Sequence, residues 1–391
     1  MADADARDDL KVSIVIPYKQ RLDTLKVVFA ALADQTMDMA QFQVIVGVME
    51  YSPEYLKLCR RFTDKLNVIS VLTTEEWNVS RARNLALAHV SGRVTLIMDA
   101  DIAVPATFLD DLYDRYFAAG REVCVIGQPV NYGSRLALDK PEVRPYSHYR
   151  QRLADLATAR GLRKDPRWQP ETLPLIWSAV WTGLVALPTG SVRRHSLLFD
   201  EGFRGWGVED QEWGYRIAAA GIPIVRGTDV YGLHLPHVRD NAANDVASLR
   251  NLRHFLRKWP ELGVELVVAL KWSGANPVYH EVSRNLDEVV AAAGHHLGVA
   301  RGRINGVDTL LIGAPVEGGP VSGDSNPGDH FDDGAPEEAL PLIGFALPYP
   351  DRSIDACRVL PPILALSPPY REAVLREAHR VCTRIVAPVA G

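Results

Sequence analysis

Two carboxylates one residue apart, Asp99 and Asp101, follow the apolar run Val94 to Met98. Alternate side chains of an extended strand leave the same face, so this pair can converge on one cation, and hard oxygen donors suit Mg²⁺ or Mn²⁺. By itself, Asp-x-Asp at a strand end reads equally well as a turn with a helix cap. A second group is Phe203-Arg204-Gly205-Trp206-Gly207-Val208-Glu209-Asp210-Gln211-Glu212-Trp213. Two glycines around Trp206 give a tight backbone carrying one large flat ring, an arrangement suited to stacking on a sugar, and Glu209, Asp210 and Glu212 follow at once. Acids in the first turn of a helix offset its dipole, which accounts for the carboxylates but not for Gly-Trp-Gly. Glu212 and Arg216 stand i, i+4 and are expected to pair. Asp210 is then the candidate general base, and backbone N–H groups at a helix start are expected to lower its pKa. A third group, His234-Leu235-Pro236-His237, offers imidazoles that would add Mn²⁺ affinity to a carboxylate site. A lone histidine is more often a satisfied core or surface group, and whether His234 turns inward with His237 stays open.

These residues need a scaffold that brings distant segments together. Val12 to Ile16 is an unbroken apolar run, the mark of a strand buried on both faces. A helix over 23–32, a strand over 42–49, a helix over 55–65, a strand over 68–72, a helix over 80–89 and a strand over 94–98 follow. Strands alternating with helices predict a doubly wound α/β domain, in which ligands gather beyond the carboxyl ends of the strands. Those ends carry Pro17-Tyr18-Lys19-Gln20-Arg21, Glu50-Tyr51 and Asp99-Ala100-Asp101. Further on, a helix is expected over 108–118, a strand over 123–127, a helix from about 209 to 220 closed by Gly221, and helices over 241–259 and 282–297. A strand is expected over 308–312. Residues 135–170 read as a charged insertion and 316–338 as an acidic Gly/Pro-rich loop.

With 391 residues the chain is long enough for two or three domains. A hydrophobic fraction of 47%, 23% charged residues, 29 Gly and 26 Pro are globular values, not those of a disordered chain. Lys and Arg number 43 against 48 Asp and Glu, so no positive field exists to hold a nucleic acid. The four cysteines are too scattered for a metal knuckle or a disulfide framework, which fits a cytoplasmic protein. Residues 172–192 carry no charge but contain Pro174, Gly183 and Pro188, so buried strands and a loop are expected there, and no integral membrane segment.

Taken in order, Val12-Ser13-Ile14-Val15-Ile16-Pro17, Ser80-Arg81-Ala82-Arg83-Asn84, Asp99-Ala100-Asp101, Gly205-Trp206-Gly207-Val208-Glu209-Asp210 and His237-Val238-Arg239-Asp240 resemble the GT-A fold glycosyltransferases. The likeness is to family 2, with β-1,4-galactosyltransferases and bacterial chondroitin-polymerase-type enzymes, and it covers about residues 11–258. It implies a GT-A fold, a Rossmann-like, doubly wound mixed sheet. It also implies transfer of a hexosyl or N-acetylhexosaminyl group, with inversion, from a nucleotide sugar, UDP foremost, to a saccharide or small natural-product acceptor. Asp101, with Asp99 assisting, and His237 would hold the metal. Pro17, Tyr18 and Arg21 would line the uridine pocket, and Arg81 and Arg83 would face the diphosphate. Asp210 would be the base, while Trp206 and Glu209 would shape the acceptor site. One departure is Glu50, which stands where the family commonly carries Asp-Asp and is expected to substitute in nucleotide contact.

The expected layout is an acidic disordered N-terminus over 1–10, the GT-A domain over 11–280 and a smaller α/β appendage over 281–391. In the appendage, 347–356 and 370–381 resemble the later half of class I methyltransferases, but Ile312-Gly313-Ala314-Pro315-Val316-Glu317-Gly318-Gly319 is a poor version of their Gly-rich loop. A degenerate, noncatalytic unit is expected. Two other functions compete. A nucleotidyltransferase would want a Gly-rich triphosphate loop after the first strand, and none follows Ile16. A noncatalytic nucleotide-sugar or carbohydrate-binding protein would have no need of Asp99, Asp101, Asp210 and His237 together.

Overall fold

A computed structural model of the chain describes residues 10–130, 142–158, 165–238, 240–316 and 330–386. The expected disordered N-terminus lies almost wholly outside these residues, as does much of the insertion and of the acidic loop. Two compact units are present, one of Met1–Thr172 with Ile176–Ser248, the other of Leu173–Leu175 with Leu249–Gly391. The division falls at 248/249, not at 280. Both positions lie inside helices, so no linker marks the boundary.

The first unit holds strands β1 (Val12–Tyr18), β2 (Phe42–Val48), β3 (Val68–Leu72), β4 (Val94–Met98), β5 (Ile102–Ala103), β6 (Cys124–Val130), β7 (Leu184–Pro188) and β8 (Ile224–His234). Its helices are α1 (Leu22–Leu32), α2 (Pro53–Arg60), α3 (Val79–Leu87), α4 (Phe108–Tyr116), α5 (Tyr146–Thr158), α6 (Thr189–Arg194) and α7 (Glu209–Ala219). The strands form one sheet in the order β3-β2-β1-β4-β7-β6-β8-β5. From β3 to β4 the pairing is parallel; β7 runs antiparallel to both β4 and β6, and β5 antiparallel to β8. The result is the mixed, doubly wound sheet expected of a GT-A fold. Every residue of β1, β2 and β4 is buried, as their mainly apolar runs require, and the polar exceptions are hydrogen-bonded, Gln43 to Ser13 and Thr95 to Thr189.

Helix α3 lies so close on β2 that a side chain at Gly47 would overlap the Ala82 carbonyl. That contact fixes the helix carrying Arg81 and Arg83. Helix α5 was not legible within the charged insertion, because only Tyr149 and Leu153 of its residues are buried, too thin a stripe to read. The uncharged stretch resolves into short 3-10 turns and β7, a fully interior strand for its first four residues.

The second unit contains the part of α8 (Asn241–Lys258) from Leu249 on, α9 (Leu262–Ala293), α10 (Pro361–Leu364), α11 (Pro368–Val381) and strands β9 (Leu297–Ile304), β10 (Val307–Pro315), β11 (Glu338–Leu340), β12 (Ile354–Val359) and β13 (Cys382–Val386). Its sheet runs β11-β9-β10-β12-β13. Gly313 has φ 87° at a bulge in β10, where a side chain would strike Ile363. This glycine serves close packing of α10, which accounts for it without a cofactor loop.

Candidate active site

β1 leads through α1 to β2 on one side, while β4, reached from β3 through α3, pairs on its other side, so the strand order reverses at β1. A crevice therefore opens beyond the carboxyl ends of β1 and β4, the place where sheets of this kind take ligands. Segments 17–21 and 99–101 lie at its edges, with Glu50 just past β2.

Beyond β4 the chain turns and enters β5, which pairs with β8 so that Ile102 stands opposite His234. The Leu235 N–H donates to the Asp101 carbonyl at 2.7 Å and continues this register. Two short bridges thus close a long loop in sequence and seat Asp101 beside both histidines. His237 Nδ1 lies 3.1 Å from Asp101 Oδ2, and His234 Nε2 lies 3.7 Å from Asp101 Oδ1. The donor atoms of all three residues fall within 4.8 Å of one another, and Asp101 is 9% exposed. One carboxylate with two imidazoles suits a borderline divalent ion such as Mn²⁺ better than Mg²⁺, which prefers oxygen. His234, left open by the sequence, belongs to this set.

Asp99 does not share that cluster. The turn after β4 breaks the strand alternation on which joint coordination depended, and Asp99 faces Arg83 instead, with Nη2 to Oδ1 at 3.2 Å. The Arg83 guanidinium is buried and also donates to Glu209 Oε1 at 3.0 Å and to Thr182 Oγ1 at 2.6 Å. It lies 4.9 Å from the centre of the Phe199 ring. Burial raises the Asp99 pKa despite Arg83, with Asp101 adding to the rise.

Asp210 sits one residue into α7, its Oδ1 accepting the Gln211 N–H at 2.8 Å. Gly205, Gly207 and Val208 all have positive φ, at 76°, 99° and 62°. For β-branched Val208 this is a strained conformation, held by the turn that aims Glu209 and Asp210. The expected lowering of the Asp210 pKa is reversed. Desolvation and the adjacent Glu209 charge push it well above the carboxylate range, outweighing Arg83 and the helix-start N–H. Glu212, fully buried, pairs with Arg216 at 2.8 Å and is structural. Trp206 is half-exposed beside these acids.

The remaining expected site residues divide. Tyr18 is buried, hydrogen-bonded to Glu50 and packed on Tyr55 with ring centres 4.9 Å apart; burial raises its pKa, and Glu50 adds to the rise. Glu50 Oε1 accepts the Gln20 N–H at 2.9 Å, so this carboxylate ties the ends of β1 and β2. Pro17 lies within β1 opposite Gly47, and Arg21 begins α1. Arg81 is held by Glu75 and by Glu201, with Nε to Oε2 at 2.7 Å. Asn78 had no motif to mark it, and Asn84 closed the Ser80–Asn84 motif without a role of its own. Their amides donate to the carbonyls of Glu201, Phe203 and Phe199, clamping the segment that leads into Gly205.

Residues 13–166 match the sequence model of glycosyl transferase family 2. The chain is 25% identical over 417 residues to a validoxylamine A glucosyltransferase of Streptomyces hygroscopicus subsp. jinggangensis (strain 5008), covering 96% of each. Among solved structures, S. aureus TarS 1-349 in complex with UDP-GlcNAc aligns with a TM-score of 0.46 and 16% identity, over 67% of this chain and 66% of that one. A mannosyltransferase from Pyrobaculum calidifontis, in complex with GDP-Man and Mn²⁺, aligns with a TM-score of 0.45 and 19% identity, over 73% and 75%. No helix among the described residues is long and apolar enough to cross a membrane. Residues 13–166, which run from β1 past β6, thus match glycosyl transferase family 2, and the chain as a whole is similar to glucosyltransferases across 96% of its length.

Proposed function

We propose that this enzyme transfers a glycosyl group, with inversion and with the help of a divalent cation, from a UDP-sugar to a hydroxyl of a small natural product or saccharide. The observation that carries the reading is the gathering of Asp101, His234 and His237 near an acid pair, Glu209 and Asp210, with Arg83 linking the two groups through Asp99. Mn²⁺ bound by the first three would neutralise the charge growing on the departing diphosphate. On this reading Tyr18 and Glu50 would line the nucleotide pocket. Relatives named validoxylamine A glucosyltransferase support a small natural-product acceptor. The half-exposed Trp206 ring offers such an acceptor a stacking face.

In the reaction, the acceptor oxygen attacks the anomeric carbon as its bond to the phosphate oxygen breaks, and the hydroxyl proton passes to Asp210. Desolvation makes that carboxylate more basic, so it is a better proton acceptor than a solvated aspartate, and turnover should fall as pH drops through its raised pKa. A single base implies one displacement and an inverted product. Asp210→Asn keeps the shape and the helix-start acceptor, so UDP affinity should persist while kcat falls ~10²-fold or more. Proton NMR of the anomeric centre reads the stereochemistry. A retained configuration, or an Asp210→Asn enzyme of normal kcat, overturns this assignment.

A further inference from the structure

Family resemblance would have Arg83 reach the diphosphate, yet both its terminal nitrogens are engaged within the chain, with only the buried Nε left unpaired among the described residues. It is 3% exposed, and its two terminal nitrogens donate to Glu209, Asp99 and Thr182 at 3.0, 3.2 and 2.6 Å. Phe199 closes one face of the guanidinium. The fork spans three chain segments: the end of β4, the approach to β7, and the first turn of α7. Its carbon stem leaves α3, which the contact at Gly47 holds rigidly on β2.

We propose that Arg83 is a positioning residue that sets the acceptor-side acids against the metal-side carboxylates. The inference rests on the proposed transfer reaction and deepens it. One rigid, planar cation with donors at a fixed spread can tie Asp99, next but one to Asp101, to Glu209, next to Asp210. Drawing Asp99 away also frees Asp101 to face the two histidines. Glu209 is engaged by the same fork, which leaves Asp210 as the acid of the pair without that partner. A lysine ammonium has three donors but gathers them on one atom, without the spread of the planar fork, so charge alone would not reproduce the arrangement.

The test is Arg83→Lys, with calorimetric titration of UDP in Mn²⁺ alongside steady-state kinetics. Positioning predicts a UDP Kd within ~3-fold of the wild type and a kcat reduced ~10- to 100-fold, the scale of misplacement at a reacting centre. A UDP Kd raised ~10-fold or more with kcat kept would show that Arg83 binds diphosphate directly, and overturns the proposal. If circular dichroism shows Arg83→Lys unfolded, Thr182→Val removes one anchor of the fork and leaves the charge. It should then lower kcat without altering UDP affinity, and an unchanged kcat overturns the proposal. A wild-type chain that consumes no UDP-sugar under these conditions defeats the transfer reading itself, a result distinct from either variant's failure.

Discussion

His234 and His237 present two nitrogen donors to Asp101, with ring centres 5.0 Å apart. If both are ligands, each contributes to selection of Mn²⁺ over Mg²⁺, since imidazole prefers the softer ion. His234→Ala and His237→Ala should each weaken Mn²⁺ binding to the chain by ~10-fold or more while altering Mg²⁺ binding less. Calorimetry on metal-stripped protein reads both, and a His234→Ala variant of unchanged Mn²⁺ affinity removes that residue from the site. Residue types at this site were readable in the sequence, but their division of labour was not. Strand alternation treats Asp99 and Asp101 as equivalent, whereas the turn after β4 separates them. The register that pairs Ile102 with His234 involves a strand of two residues, too short to leave a periodic signal.

Among the elements, β1, β2 and β4, buried on both faces, and α1, α3 and α4, each with a broad buried stripe, follow from apolar runs and helical spacing, whereas β3 has no fully buried residue and α2 buries only Tyr55 and Leu58. Helix α9 followed only in part, from the helix expected over 282–297. Gly263, Gly274 and Pro277 suggest breaks, and the backbone does depart from helix at Lys271, yet the segment stays helical on both sides. Its fixing point is Glu265, fully buried, whose carboxylate accepts N–H groups from Ile343, Gly344 and Phe345 at 2.9, 2.6 and 2.7 Å. These donors lower its pKa, but burial wins and raises it from 4.5 to about 7. The native state therefore holds a proton that the unfolded chain releases, and the associated stability is present at low pH and lost as pH rises from 4.5 to about 7. Its upper size is about 3 kcal/mol. The stability of wild type relative to Glu265→Gln, followed by thermal melting, should decline over that window. A difference that is flat with pH contradicts this account of Glu265.

At the scale of the molecule, the curated relatives align across 96% of the chain, so the second unit is shared with glucosyltransferases rather than appended to one. The likeness of its last segments to methyltransferases rested on short motifs, and the glycine that would open a cofactor loop packs on Ile363 instead. A domain boundary at 280 was drawn from composition, which carries no trace of where contacts thin out. The whole account turns on cation-assisted glycosyl transfer in the first unit. Its most direct test strips the chain of metal, adds a panel of UDP-sugars with a small polyhydroxylated acceptor, and follows UDP release as Mn²⁺ is titrated in. Release should rise from background with Mn²⁺, saturate, and fall by ~10²-fold or more in Asp101→Ala. Release that is equally fast in EDTA, or unaffected by Asp101→Ala, would contradict the account.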